Sequence, residues 1–177
     1  VDVLIEEKRP GQSISVWFDY DVGTRAAGPT GEMHRLDADW CIAHAKRSPV
    51  DELADDPNVV PNPAELDYVL LRLEDSPGVE RGFVPMPIGG GGSELSRGTP
   101  LCTLQYAALH PLEVAVTPQG FVGFNRNQTR FRHRLNTLGG ASGAPIFDLD
   151  WNLVALHRGF VRSPPGANLK LNDAIPI

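Results

Sequence analysis

Between residues 101 and 157 the chain breaks into six short strand-like pieces, at 101–107, 112–117, 121–124, 129–135, 144–147 and 153–157. Gly, Pro, Asn and Asp fill the gaps between them. Pieces this short, at this spacing, cannot be amphipathic helices, and their period-two patterning predicts strands that curl into an antiparallel barrel. The same alternation opens the chain, where Ile14, Val16 and Phe18 alternate with Ser13, Ser15 and Trp17, ending near Asp19-Tyr20-Asp21. A second strand is expected at 35–43 and a third at 66–73, Leu66-Asp67-Tyr68-Val69-Leu70-Leu71-Arg72-Leu73.

The intervening stretches carry loop chemistry. Residues 23–32, rich in Gly, Thr and Ala around Gly28-Pro29, read as a turn or long hairpin loop. Residues 49–63 hold Pro49, Pro57, Pro61 and Pro63 together with Asp51, Glu52, Asp55 and Asp56, which predicts a surface excursion with a solvated acidic face. Between Glu74 and Pro100 lie Asp75-Ser76-Pro77-Gly78, Pro85-Met86-Pro87 and Gly89-Gly90-Gly91-Gly92-Ser93, a composition that makes flexible connections. The last of these runs fits a native linker and an engineered spacer equally. The resulting division is 1–80, a linker at 81–99, a barrel at 100–160 and a C-terminal segment at 161–177.

A chain of 177 residues can bury a substantial core. No stretch approaches the roughly 18 apolar residues that a membrane helix needs, so no membrane association is expected. A net charge of −6 with 16 Lys and Arg argues against a nucleic-acid surface, which requires a concentrated basic face. The one basic run, Arg130-Phe131-Arg132-His133-Arg134, is expected to turn Phe131 and Leu135 inward and its basic residues to solvent. Cys41 and Cys102 stand among apolar neighbours in different halves of the chain and read as buried free thiols, with one disulfide between the halves as the alternative. Free thiols point to a reducing, cytoplasmic compartment. Neither cysteine has metal-ligand spacing, and no metal or cofactor is expected.

The chemistry concentrates in Leu138-Gly139-Gly140-Ala141-Ser142-Gly143-Ala144-Pro145-Ile146-Phe147. A serine on a tight turn before a short apolar strand suits acyl transfer. Glycines at 139, 140 and 143 permit backbone angles that let N–H groups converge on one point, as an oxyanion hole requires.

This segment and Leu153-Val154-Ala155-Leu156-His157-Arg158-Gly159 resemble the nucleophile segment and substrate-binding strand of trypsin-like, chymotrypsin-fold serine peptidases, especially the disulfide-poor bacterial branch. Leu66 to Leu73 resembles the strand bearing that family's triad aspartate, in the family's order of aspartate before serine. The resemblance implies an all-β fold of two six-stranded antiparallel β-barrels, the first N-terminally truncated in this chain. It implies Ser142 as nucleophile, Asp67 as orienting carboxylate, and the N–H groups of Gly140 and Ser142 as oxyanion hole. An aspartate inside an apolar strand is costly to bury without a partner, which supports a role for Asp67.

The family's general-base histidine precedes the aspartate and is expected upstream of Val1. His44 is the runner-up within the chain, only 23 residues before Asp67 (67 − 44), and His34 is expected on a surface loop. Ala141 replaces the aspartate that digestive relatives use in zymogen activation, so control by that ion pair is not expected. Thr137 and His157 resemble the pair lining the primary pocket of glutamyl endopeptidases, whose hydroxyl and imidazole suit a carboxylate or carboxamide. Asn136 stands where trypsin has its acid, which disfavours cleavage after Lys or Arg. His110 is expected at a turn between the first two strands of the second barrel, and Trp151 over the turn between 147 and 153.

The resemblance thus implies a serine endopeptidase acting on polypeptides with preference for Glu or Gln before the scissile bond, partnered by a regulatory domain or protein. The alternatives are a catalytically inactive binding module derived from such a peptidase, and an unrelated double barrel sharing only the loop.

Overall fold

The computed structural model describes residues 14–21, 23, 28, 30–52, 60–82, 95–108, 110–161 and 171–177. The Gly89–Ser93 run and Asp55 and Asp56 lie outside the described residues. In chain order the elements are β1 (Ser15–Asp21), β2 (Thr30–Arg47), a 3₁₀ turn (Pro49–Glu52), β3 (Leu66–Leu73) and α1 (Pro77–Arg81). They continue with β4 (Leu101–Gln105), β5 (Glu113–Thr117), β6 (Phe121–Phe124), β7 (Phe131–His133), β8 (Pro145–Phe147), β9 (Leu153–Phe160) and β10 (Asn172–Pro176). The fold is all-β and chymotrypsin-like.

The first sheet has the order β1-β2-β3, all antiparallel. β2 is long enough to serve both neighbours: residues from Thr30 to Arg35 pair with β1, and Leu36 and Cys41 to Arg47 with β3, across register shifts between Leu36 and Ala43. Such shifts bend a strand and increase its twist. Thr30 to Glu32, expected in the preceding loop, belong to this strand, and Pro77 to Arg81, expected as flexible connection, form α1 with Pro77 in the first turn.

The second sheet has the order β5-β4-β8-β9-β10-β7-β6. All six expected strands are present, with a seventh, β10, where the sequence suggested a separate C-terminal segment. β10 runs between β9 and β7, with Ala174 opposite both His157 and Phe131. The far edge turns back on the start of the sheet: the Gly98 N–H donates to Phe121 O (2.8 Å), and the Phe121 N–H to Thr99 O (3.0 Å). Gly120 permits this closure, since a Cβ there would lie 2.7 Å from Cβ of Leu101. Inside the curl, Leu101, Phe121, Phe131, Leu135, Ile146, Val154, Ala155 and Ala174 form the core. The rings of Phe121 and Phe131 pack 4.7 Å apart, with Phe124 edge-on to both.

The sheets meet through charge. Arg130, expected in solvent, is fully buried; its Nε and Nη2 donate to the two carboxylate oxygens of Asp51 (3.1 and 2.7 Å), and Nη2 also to Glu65 O (2.9 Å). Asp51, expected on a solvated acidic face, has a buried side chain for this reason. His133, also expected outside, is fully buried, because two-residue alternation along β7 puts it on the same inward face as Phe131 and Leu135. His34 is likewise buried, on β2 rather than a loop, with Nδ1 2.8 Å from Asp75 Oδ2 and its ring edge-on to Phe18. Cys41 and Cys102 are free thiols.

Removing one partner of a buried, hydrogen-bonded ion pair leaves an uncompensated charge and costs about 3–5 kcal/mol. Arg130→Ala is therefore expected to lower unfolding free energy by about that amount, whereas Arg126→Ala, at an exposed position, should change it by less than about 0.5 kcal/mol; urea titration compares the two.

Candidate active site

The loop between β7 and β8 is built to present one hydroxyl. The Ala108 N–H donates to Gly139 O (2.8 Å), tying the loop to the chain beyond β4, and Ala141 is buried beneath it. Gly140 and Gly143 have φ of +94° and +89°, a region open to glycine and strained for other residues. Between them Ser142 is exposed, its hydroxyl donating to Arg158 O at 3.0 Å. Of the three glycines expected to aim donors at one point, Gly143 does not: its N–H donates to His157 O (2.7 Å). Among the described residues the N–H groups of Gly140 and Ser142 have no acceptor.

Beside this loop lies a cleft of about 570 Å³ whose lining includes Ser142, Gly140, Asp67, Thr137, His157 and Arg158. Residues far apart in sequence, from β3, the β7–β8 loop and β9, thus meet on one surface. This argues against a fold that shares the loop alone. Asn136 is not part of the lining; it is exposed, and its carbonyl accepts from the Gln105 amide (3.1 Å). His44 faces outward on β2 and is also absent from the lining. His110 is exposed beside Glu113 (3.2 Å), and the Trp151 ring covers Phe147 at 5.6 Å.

Asp67 has φ of +61°, an uncommon conformation for a residue with a side chain. Its carboxylate accepts from Arg158 Nη1 at 3.3 Å, while Arg158 Nη2 donates to Asp173 (3.0 Å) and Nη1 lies 3.6 Å from Asp51. Arg130 and Arg132 approach the same Asp173 at 3.6 and 3.2 Å. Burial works to lower the Arg158 pKa, but Asp173, Asp51 and Asp67 overcome it and raise it above the ordinary value. Burial pushes Asp173 up, against the opposing pull of Arg132, Arg158 and Arg130.

His157, which lines the cleft with Thr137, stands in series with the fully buried His133. The Leu135 N–H donates to His133 Nδ1 (3.3 Å), which leaves the His133 proton on Nε2, 3.1 Å from His157 Nδ1. His157 in turn carries its own proton on Nε2. Burial, reinforced by His157, depresses His133 to about 3. Burial, reinforced by Arg158, depresses His157 to about 4. Both rings are neutral donors near neutral pH.

Arg158, Arg130, Asp173 and His133 were not singled out as site residues from sequence. A signal existed for Arg158 and Asp173, since each interrupts an apolar strand and needs a buried partner as much as Asp67 does.

A curled all-β fold with an exposed serine on a glycine turn, N–H donors beside it and an aspartate across the cleft defines the class of chymotrypsin-like serine peptidase domains. The chain belongs to the trypsin-like peptidase domain family, whose model matches residues 29–156, and its function is of the serine-protease type. Comparison with curated protein sequences finds no match.

The depressed histidines set a pH dependence of stability. Between about pH 6.5 and pH 4 the unfolded chain binds protons that both folded rings exclude, so stability, complete above that window, falls as pH is lowered. The slope approaches about 1.4 kcal/mol per pH unit for each histidine. Denaturant titrations across this window should show His133→Gln with a distinctly shallower slope than the parent.

Proposed function

We propose that the domain is a serine endopeptidase with Ser142 as nucleophile and Asp67 as the carboxylate orienting its base. The observation carrying this reading is the exposed Ser142 hydroxyl on a cleft that Asp67 also lines, with the Gly140 and Ser142 N–H groups lacking an acceptor among the described residues. Ser142 Oγ attacks the scissile carbonyl carbon as its proton passes to a histidine. Negative charge on the former carbonyl oxygen is received by the N–H groups of Gly140 and Ser142. The histidine then protonates the departing amine as the C–N bond breaks, and water repeats the sequence on the ester to release the acid.

None of the five histidines of the chain is suited to be that base. His34 is buried away from the cleft lining, His44 and His110 also lie off that lining, His133 is buried beside His157, and His157 Nδ1 is held by His133. The base in this proposal is a histidine outside Val1–Ile177. A second reading, a module without catalysis, is favoured by the Ser142 hydroxyl donating to a carbonyl rather than to a base.

For the residue before the scissile bond, the Thr137 hydroxyl and the neutral His157 ring offer hydrogen bonds suited to Glu or Gln. His133 supports this pocket by fixing the His157 tautomer.

A fluorophosphonate probe applied to the full-length protein should label it, and Ser142→Ala should abolish labelling; an unlabelled parent would favour the inactive module. Among peptides differing only before the scissile bond, Glu or Gln should be cleaved fastest, and preference for Arg or Leu would sink the pocket assignment. His157→Ala should lower kcat/KM for the preferred peptide by about tenfold or more, as loss of a hydrogen bond worth about 1.5–3 kcal/mol implies.

A further inference from the structure

Asp67 does not face the cleft as an isolated negative charge. Arg158 contacts it directly, and the same guanidinium reaches Asp51 from the 3₁₀ turn and Asp173 from β10, while Arg132 of β7 and Arg130 just before that strand approach Asp173. Among the described residues the cluster brings together three carboxylates and three guanidiniums. Arg47 of β2 lines the cleft from an exposed position, and His157 and, behind it, His133 are neutral. Arg158 also reaches the nucleophile, because its carbonyl accepts the Ser142 hydroxyl. One residue of β9 therefore touches both members of the proposed catalytic pair.

We propose that Arg158 is a positioning residue with an electrostatic function: it holds the Asp67 carboxylate in its uncommon backbone conformation and neutralises it, setting the pH at which Ser142 becomes reactive. This rests on the reading of Ser142 and Asp67 as nucleophile and orienting carboxylate. A carboxylate next to a histidine favours the imidazolium, which raises the pH needed to free the base. A guanidinium sharing that carboxylate offsets the effect, so the base remains unprotonated to lower pH.

The test is the rate constant for phosphonylation of Ser142 in the full-length protein, followed across the pH range where histidine titrates. Arg158→Gln leaves one uncompensated negative charge, and its acidic limb should move up by about one pH unit. Asp173→Asn leaves one uncompensated positive charge, and the limb should move down. The double variant restores the balance and should return the limb towards the parent's position. Arg158→Lys keeps the charge but loses the planar fork, so the rate constant should fall while the limb stays in place.

Equal limbs in all variants, or shifts of one sign for both single variants, would overturn the role of Arg158 while leaving Ser142 as nucleophile. If Arg158→Gln does not fold, the downward shift of Asp173→Asn decides alone, and its absence overturns the proposal. A parent that takes no label overturns the catalytic reading and this inference with it.

Discussion

Three arginines and three aspartates, drawn from the 3₁₀ turn, β3, β7 and the residue before it, β9 and β10, hold the two sheets in register with one another. Charges removed from water carry a large desolvation cost, which their mutual attraction recovers only when the geometry is good and remaining donors are satisfied. An apolar contact of equal area would tolerate sliding. This contact does not, because displacing any member strands its partners in a low dielectric. That intolerance explains how Asp67 keeps a positive φ: the carboxylate is secured by Arg158 across the sheet boundary, and the backbone follows. The cleft, which lies where the sheets meet, takes its shape from the same constraint.

The serine loop obeys a more local rule. Positive φ at Gly140 and Gly143 turns the chain on both sides of Ser142, while the buried Ala141 and the bond from Ala108 to Gly139 fasten it to the barrel. The Gly143 N–H, lost as an oxyanion donor, does mechanical work by joining the loop to β9. With His157 N–H donating to Ala144 O (2.8 Å), it forms a pair of bonds that keep the nucleophile beside the strand bearing the pocket.

These two kinds of constraint differ in how far they could be read from the sequence. Period-two patterning locates strands from 101 to 157, and Gly140, Ser142, Thr137 and His157, close in sequence, line one cleft. The insertion of β10 between β9 and β7 could not be read there, because strand pairing over such separations leaves no local mark. Burial of Arg130 has a related cause, since alternation assigns residues to two faces and only tertiary structure covers the second, whereas His133 shares the face of Phe131 and Leu135 and its burial follows from the alternation itself. Asp51 and His34 looked like surface residues because their partners, Arg130 and Asp75, lie 79 and 41 residues away. Asp67, a lone acid in an apolar strand that demands a partner, finds it in Arg158. The same logic applied to Arg158 and Asp173 would have pointed towards the cluster.

The place of β10 also bears on the order of events during synthesis. It is made after every other strand described, yet it lies inside the sheet rather than at its edge, between the strand of His157 and the strand of His133. Until residues 172–176 leave the ribosome, β9 and β7 have unpaired edges, and Arg158, Arg130 and Arg132 lack the carboxylate of Asp173. Non-local pairing of this kind is slow to form and exposes strand edges while it waits. Assembly of the serine site is thereby coupled to the end of translation of this span: the pocket wall, the ion cluster and the barrel close together, and a nascent chain stopped before residue 172 would hold Ser142 without its surroundings.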